Sequence, residues 1–187
     1  MSLKQTARII STYAGDTSGV ASALFELGGM TVMHDASGCN STYNTHDEPR
    51  WYDTDSLVFI SALTETEAIL GDDEKLIADC VRTAEELHPR FIAVAGTPIP
   101  MMTGVDFEAV AEEIERRSGI PSFGFATDGM HSYVSGANMA FEALARRSVL
   151  EPAAGKRRSG AVRANLLGLT PLDFSVYGAP EAMKREM

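Results

Sequence analysis

Cys39 is the residue of this 187-residue chain whose type and setting best suit it to chemistry. It follows Ser37-Gly38 at the expected start of a helix after a strand, where amide dipoles lower a thiol's pKa and favour the thiolate. A thiolate binds soft metals or acts as a nucleophile. One thiolate cannot hold a zinc ion or a cluster alone, so a metal at Cys39 needs ligands of other types or from another chain. The other cysteine, Cys80, falls on the inward face of a strong helical pattern and reads as a small buried hydrophobe. No CxxC occurs, which excludes a self-contained zinc or ferredoxin-type site.

His34 ends an expected strand and leads into Cys39, so it either fixes the loop by a hydrogen bond or takes part in a site. His46 and His131 lie in polar stretches and read as solvated surface, while His88, before Pro89, reads as the end of a helix. Gly15-Asp16-Thr17-Ser18-Gly19 admits two readings, a cradle for an anion or a helix cap; the cap, with Asp16 or Thr17 accepting from free amides, is the expectation. There is no GxGxxG after a strand, no GxxxxGK[ST] and no nucleophile elbow.

The elements that must position these residues alternate between short apolar runs and helical patterns. That alternation predicts an α/β, Rossmann-like fold: a mainly parallel sheet with helices on both faces, in three layers. Strands are expected at 7–13, 30–34, 57–63, 91–95 and 121–126, and helices at 17–27, 72–87, 106–117 and 133–149, with a helical turn at 37–44. In the 72–87 helix, Leu76, Ile77, Cys80, Ala84 and Leu87 share one face; in the next, Phe107, Val110, Ala111 and Ile114 do. Ligands of open α/β sheets bind beyond the carboxyl ends of the strands. The segments expected there are 13–18, 35–39, 64–66, 96–103 and 127–132.

A formal charge of −10 argues against nucleic-acid binding, which needs clustered Lys and Arg; the only basic run is Lys156-Arg157-Arg158. The first residues are polar and no apolar run approaches the ~20 residues that span a bilayer, so the chain is expected in the cytoplasm. Residues 1–150 read as one α/β domain and 151–160, rich in Pro, Gly and basic residues, as a linker. A strand at 163–169 and a half-helix at 179–187 cannot bury an apolar face unaided. We therefore expect 161–187 to begin a second α/β domain of a longer protein.

The order of the loops resembles a known family. Ser11-Thr12-Tyr13-Ala14-Gly15 followed by Met33-His34-Asp35-Ala36-Ser37-Gly38-Cys39 resembles the opening of nitrogenase component 1 subunits. That family carries a Cys-x-Tyr-Ala-Gly-like element and then a His-Gly-Pro-x-Gly-Cys element. Thr64 to Gly71 with Glu74-Lys75-Leu76 is similar to its stretch entering a helix, and Thr97 to Asp106 to its Cys-Pro-x-x-x-x-Gly-x-Asp loop. Gly119-Ile120-Pro121 and 129–144 match its closing strand and helix, so the resemblance covers about residues 7–147.

The resemblance implies an interface iron–sulfur cluster, a homodimer or homologous second subunit, and an ATP-dependent iron–sulfur reductase as electron donor. Of the family's three cysteines this chain has the middle one, Cys39; Ser11 and Thr97 stand at the other two positions. The metal-ligand candidates are therefore Cys39 and Ser11, with Tyr13, His34, Ser37, Gly38 and Thr97 around the cofactor. The implied activity is that of a nitrogenase-like oxidoreductase subunit, inactive as this fragment alone. Two alternatives are a non-catalytic scaffold or carrier for a metallocofactor or tetrapyrrole, and a plain small-molecule-binding α/β domain.

Overall fold

A computed structural model describes residues 15–36, 48, 50, 55–148 and 179–186. Its elements in chain order are α1 (Asp16–Leu24), β1 (Met30–Met33), β2 (Leu57–Ile60), α2 (Glu65–Leu70), α3 (Glu74–Leu87), β3 (Ile92–Ala95), α4 (Pro98–Thr103), α5 (Phe107–Ser118), β4 (Ser122–Phe125), α6 (Tyr133–Ser148) and α7 (Ala179–Glu186). The strands form one four-stranded sheet in the order β2-β1-β3-β4, and every pairing is parallel. The expected strands at 7–13 and 163–169 and the turn at 37–44 lie outside the described residues.

Period-two alternation sorts the sheet's side chains into two cores. Met33, Val58, Ala93, Ala95 and Phe125 pack with Val20, Ala21 and Leu24 of α1 and Tyr133, Ala137 and Ala140 of α6. Met30, Val32, Ile92 and Val94 pack with Leu76, Ile77, Cys80 and Ala84 of α3 and Phe107, Val110 and Ile114 of α5. The result is the three-layer α/β arrangement expected. β3, flanked by β1 and β4 and covered on both faces, is buried along its whole length, as its unbroken apolar run requires.

The α1–α6 contact depends on absent side chains. A Cβ on Gly136 would overlap the Asp16 carbonyl, and one on Gly19 would overlap the Tyr133 carbonyl. Two glycines facing each other's helix backbone thus let the two axes approach closely.

Several expectations are corrected in detail. The stretches after β2 and β3 are short helices, not loops. α2 starts on a capping box, in which the Glu67 N–H donates to the Thr64 hydroxyl and the Thr64 N–H to the Glu67 carboxylate. α4 starts with Pro98 in its first turn and stops at Gly104, whose φ is 83°. Leu87 is 42% exposed rather than inward, because α3 ends at it and His88 turns away with a left-handed backbone. Cys80 is buried, and burial pushes its thiol up to about 12.

β2 and β4 are the edges of the sheet among the described residues. On β4, the Ser122 N–H donates to a Glu115 carboxylate oxygen at 3.0 Å. Arg147 of α6 pairs with the same Glu115 from the other face. An ion pair therefore straps α5 to α6 across this edge.

Candidate functional site

The chain runs outward from β1 to β2 and then returns past β1 to β3. Its topological switch point is therefore the crevice between the carboxyl ends of β1 and β3, where α/β sheets of this kind bind ligands. His34 follows β1 and Thr97 follows β3. Both are buried, at 3% and 0% exposure. The Thr97 hydroxyl donates to the His34 carbonyl at 2.8 Å and lies 3.2 Å from Asp35 Oδ1. The structure thus brings together two residues 63 positions apart that the sequence had singled out.

His34 is held on every side. Its N–H donates to the Ala95 carbonyl, and its Nδ1 shares a 2.8 Å hydrogen bond with the Ser61 hydroxyl at the end of β2. Ser61 Oγ also accepts from the Asp35 N–H at 3.1 Å. The Phe107 ring meets the imidazole edge-on. Burial lowers the imidazole pKa from 6.5 to about 4, against a smaller upward pull from the Asp35 charge. His34 is therefore neutral at pH 7.

The polar belt continues along the sheet. The Gly96 carbonyl accepts from the hydroxyls of Thr17 and Thr127, each at 2.7 Å. Asp16, 2% exposed, accepts from the N–H groups of Gly129 at 2.7 Å, Asp128 at 3.2 Å and its neighbour Thr17. The expected helix cap is thus corrected. Gly15 holds the cap position without a side-chain bond, and Asp16 fastens the start of α1 to the loop after β4. His131 of that loop is exposed and pairs with Asp128 at 2.9 Å; that bond raises its pKa.

Ser61, Thr97 and Thr127 each lie one or two residues beyond a strand, and their hydroxyls tie neighbouring strand ends together. Sequence reasoning missed Ser61 and Thr127, and it weighed Thr17 only as part of a helix cap or anion cradle. The signal that could have found them is this recurrence of a hydroxyl residue just after an apolar run. Of the other site candidates, Ser11, Tyr13, Ser37, Gly38 and Cys39 lie outside the described residues. The segments carrying them join the described chain at Gly15 and Ala36, both at this end of the sheet.

As a chemical environment, the belt is a buried, closely hydrogen-bonded floor that carries the Asp16 and Asp35 carboxyls. Its hydroxyls and imidazole are engaged with strand ends, so it orients loops rather than presenting a nucleophile.

Among the described residues, no helix is long and apolar enough to cross a membrane. The family model for nitrogenase component 1 type oxidoreductase matches residues 17–187. No curated protein matches the chain. Similar solved structures include nitrogenase Cp1 at pH 5 and nitrogenase Cp1 at pH 6.5. Each is 22% identical over 70% of this chain with a TM-score of 0.57. The chain spans 29% and 28% of those two chains, less than a third of their length.

Proposed function

From the premise that this chain belongs to the nitrogenase component 1 type oxidoreductase family, we propose that residues 1–150 are the N-terminal domain of a nitrogenase-like oxidoreductase subunit. Residues 151–160 are a linker and 161–187 lead into a second α/β domain. The subunit receives electrons from an ATP-dependent iron–sulfur reductase and reduces a substrate or cofactor in the cytoplasm. It does so together with a second copy or a homologous subunit, and the fragment alone has no turnover.

The observation that carries this reading is the meeting of His34 and Thr97 at the switch point. These are the described members of two family-like motifs. Thr97 does not fit as a ligand, and His34 is engaged at its Nδ1. Thr97 Oγ1 is fully buried and donates to the His34 carbonyl, and His34 Nδ1 is bound to Ser61. They position the loops, and Tyr13, Ser37 and Gly38 act beside them. The ligand role falls to Cys39, as a thiolate, and to Ser11, as an oxygen donor.

The test is iron and acid-labile sulfide, with a visible spectrum, on anaerobically purified protein and on the Cys39→Ser variant. Iron and sulfide in the wild type that vanish in the variant support the reading. An iron-free wild type overturns electron transfer in this chain. The engagement of Thr97 and His34 then favours the second reading, a scaffold or carrier for a metallocofactor or tetrapyrrole, which absorbance after incubation with a porphyrin would reveal.

A further inference from the structure

Where the loop after β4 meets the start of α1, three side chains with metal-binding donors converge. Asp16 of α1 and Asp128 and His131 of the loop each bring one donor atom within 4.8 Å of the other two. His131 Nδ1 lies 2.9 Å from Asp128 Oδ1 and 3.6 Å from Asp16 Oδ2. Both carboxylates are fixed from behind by the backbone. The Gly129 and Thr17 N–H groups donate to Asp16 Oδ1 and the Asp128 N–H to Asp16 Oδ2. The Met130 N–H donates to Asp128 Oδ1 at 2.8 Å. Ligands oriented by such bonds need little rearrangement to coordinate.

The charge of Asp16 is a separate observation, and it points to a cation. Its side chain is 3% exposed. Every hydrogen bond it accepts comes from a neutral amide, which is the pattern of a carboxylate. Among the described residues no Lys or Arg pairs with it, and its one ion-pair neighbour, His131, stands at 3.6 Å, too far for a hydrogen bond. Buried charges are paired or coordinate metals. This one has no bonded cation, yet it faces a second carboxylate and an imidazole.

We propose that Asp16, Asp128 and His131 bind a single divalent first-row transition-metal ion, at a site without cysteine. Two hard carboxylate oxygens and one imidazole nitrogen suit manganese, iron(II) or zinc, and the imidazole argues against calcium or magnesium. An octahedral ion with bonds of ~2.1 Å holds adjacent ligands ~3 Å apart. The 2.9 and 3.6 Å separations therefore match one face of such an ion after a small side-chain shift. His131 is 68% exposed, so the opposite face opens to water or to a small anionic ligand. The ion takes the place of the proton on Nδ1 and ties the loop after β4 to α1. Nothing here depends on the subunit reading or on an iron–sulfur cluster.

The test titrates the full, metal-free chain with manganese(II) chloride and follows the free ion by its electron paramagnetic resonance signal. We expect one bound ion per chain. His131→Ala and Asp128→Asn change side chains outside the core, and each should weaken binding at least about tenfold. Asp16→Asn still accepts amide N–H groups but lacks the charge; it should weaken binding as much, with the helical circular dichroism unchanged. Glu142→Gln, an exposed carboxylate of α6, should leave binding as it is.

No binding at millimolar manganese overturns the proposal. So does binding that is unchanged in His131→Ala or in Asp128→Asn, which would place the ion on other carboxylates. So does binding that disappears in Cys39→Ser, which would make it a property of the thiol. The readout involves neither sulfide nor bound iron, so failure here leaves the cluster assay standing, and the reverse.

Discussion

Mild acid should cost the protein the stability that rests on a neutral His34. In the unfolded chain this imidazole takes up its proton near pH 6.5; in the folded protein it does so only near 4, because burial disfavours the charged form. Between those values the unfolded state binds more protons, so stability falls as pH falls. The contribution is complete above pH 6.5 and spent below about pH 4. Linkage gives a loss of about 2 kcal/mol by pH 5 and about 3 kcal/mol by pH 4. Against a total of ~5–15 kcal/mol for a domain, that is a large fraction.

Carboxylates held low, such as Glu113 at about 2, lose their own contribution only below their ordinary value of 4.5. At pH 5 these carboxylates therefore still contribute. The assay is urea unfolding at pH 7.5 and pH 5 of the wild type and of His34→Asn, whose amide still reaches Ser61 but does not titrate. The wild type should lose about 2 kcal/mol more than the variant between the two pH values. The effect of His131, whose pKa Asp128 raises, is common to both proteins and cancels. An equal loss in the two proteins would refute the reasoning, as would a His34 imidazole seen by NMR to protonate near pH 6.5.

Two further outcomes test the packing and the site. Gly136→Ala should destabilise by about 1–3 kcal/mol, the cost of overpacking, because its methyl meets the Asp16 carbonyl and the two helices must part; a thermal scan with an unchanged midpoint would contradict this. Thr97→Val removes a buried hydroxyl bonded to the His34 carbonyl and should cost about 1–2 kcal/mol in urea unfolding. Iron per folded molecule should stay the same in that variant, and loss of iron with folding intact would make Thr97 a ligand after all.

Helix faces and the parallel sheet were readable because burial imposes periods that composition cannot hide. Leu76, Ile77, Cys80 and Ala84 sit inward as their spacing demanded, and so do Phe107, Val110, Ala111 and Ile114. The short helices were harder. Six residues give too little apolar period to register, and the evidence for α2 and α4 lay instead in their ends: Thr64 with Glu67, and Thr97-Pro98 with Gly104. At the site, His34 and Thr97 were found through the order of motifs. Their contact was not, because a hydroxyl meeting a carbonyl 63 residues away depends on strand order. Asp16 shows the same limit. Its sequence neighbourhood proposes a local cap, whereas tertiary folding supplies backbone amides from residues 112 and 113 positions further along.

The strap across β4 changes what this edge of the sheet offers to other strands. A bare edge is a template: an incoming strand reads its open amides and lengthens the sheet, and repetition of that step makes fibres. Here the Ser122 amide is occupied by the Glu115 carboxylate, with Arg147 beside it. A newcomer must first displace a charge and would then bury it. The Ser122 amide and Arg147 also hold the Glu115 carboxyl below its usual range. The blockade of this amide therefore outlasts the first stage of acidification and holds until Glu115 itself is neutralised.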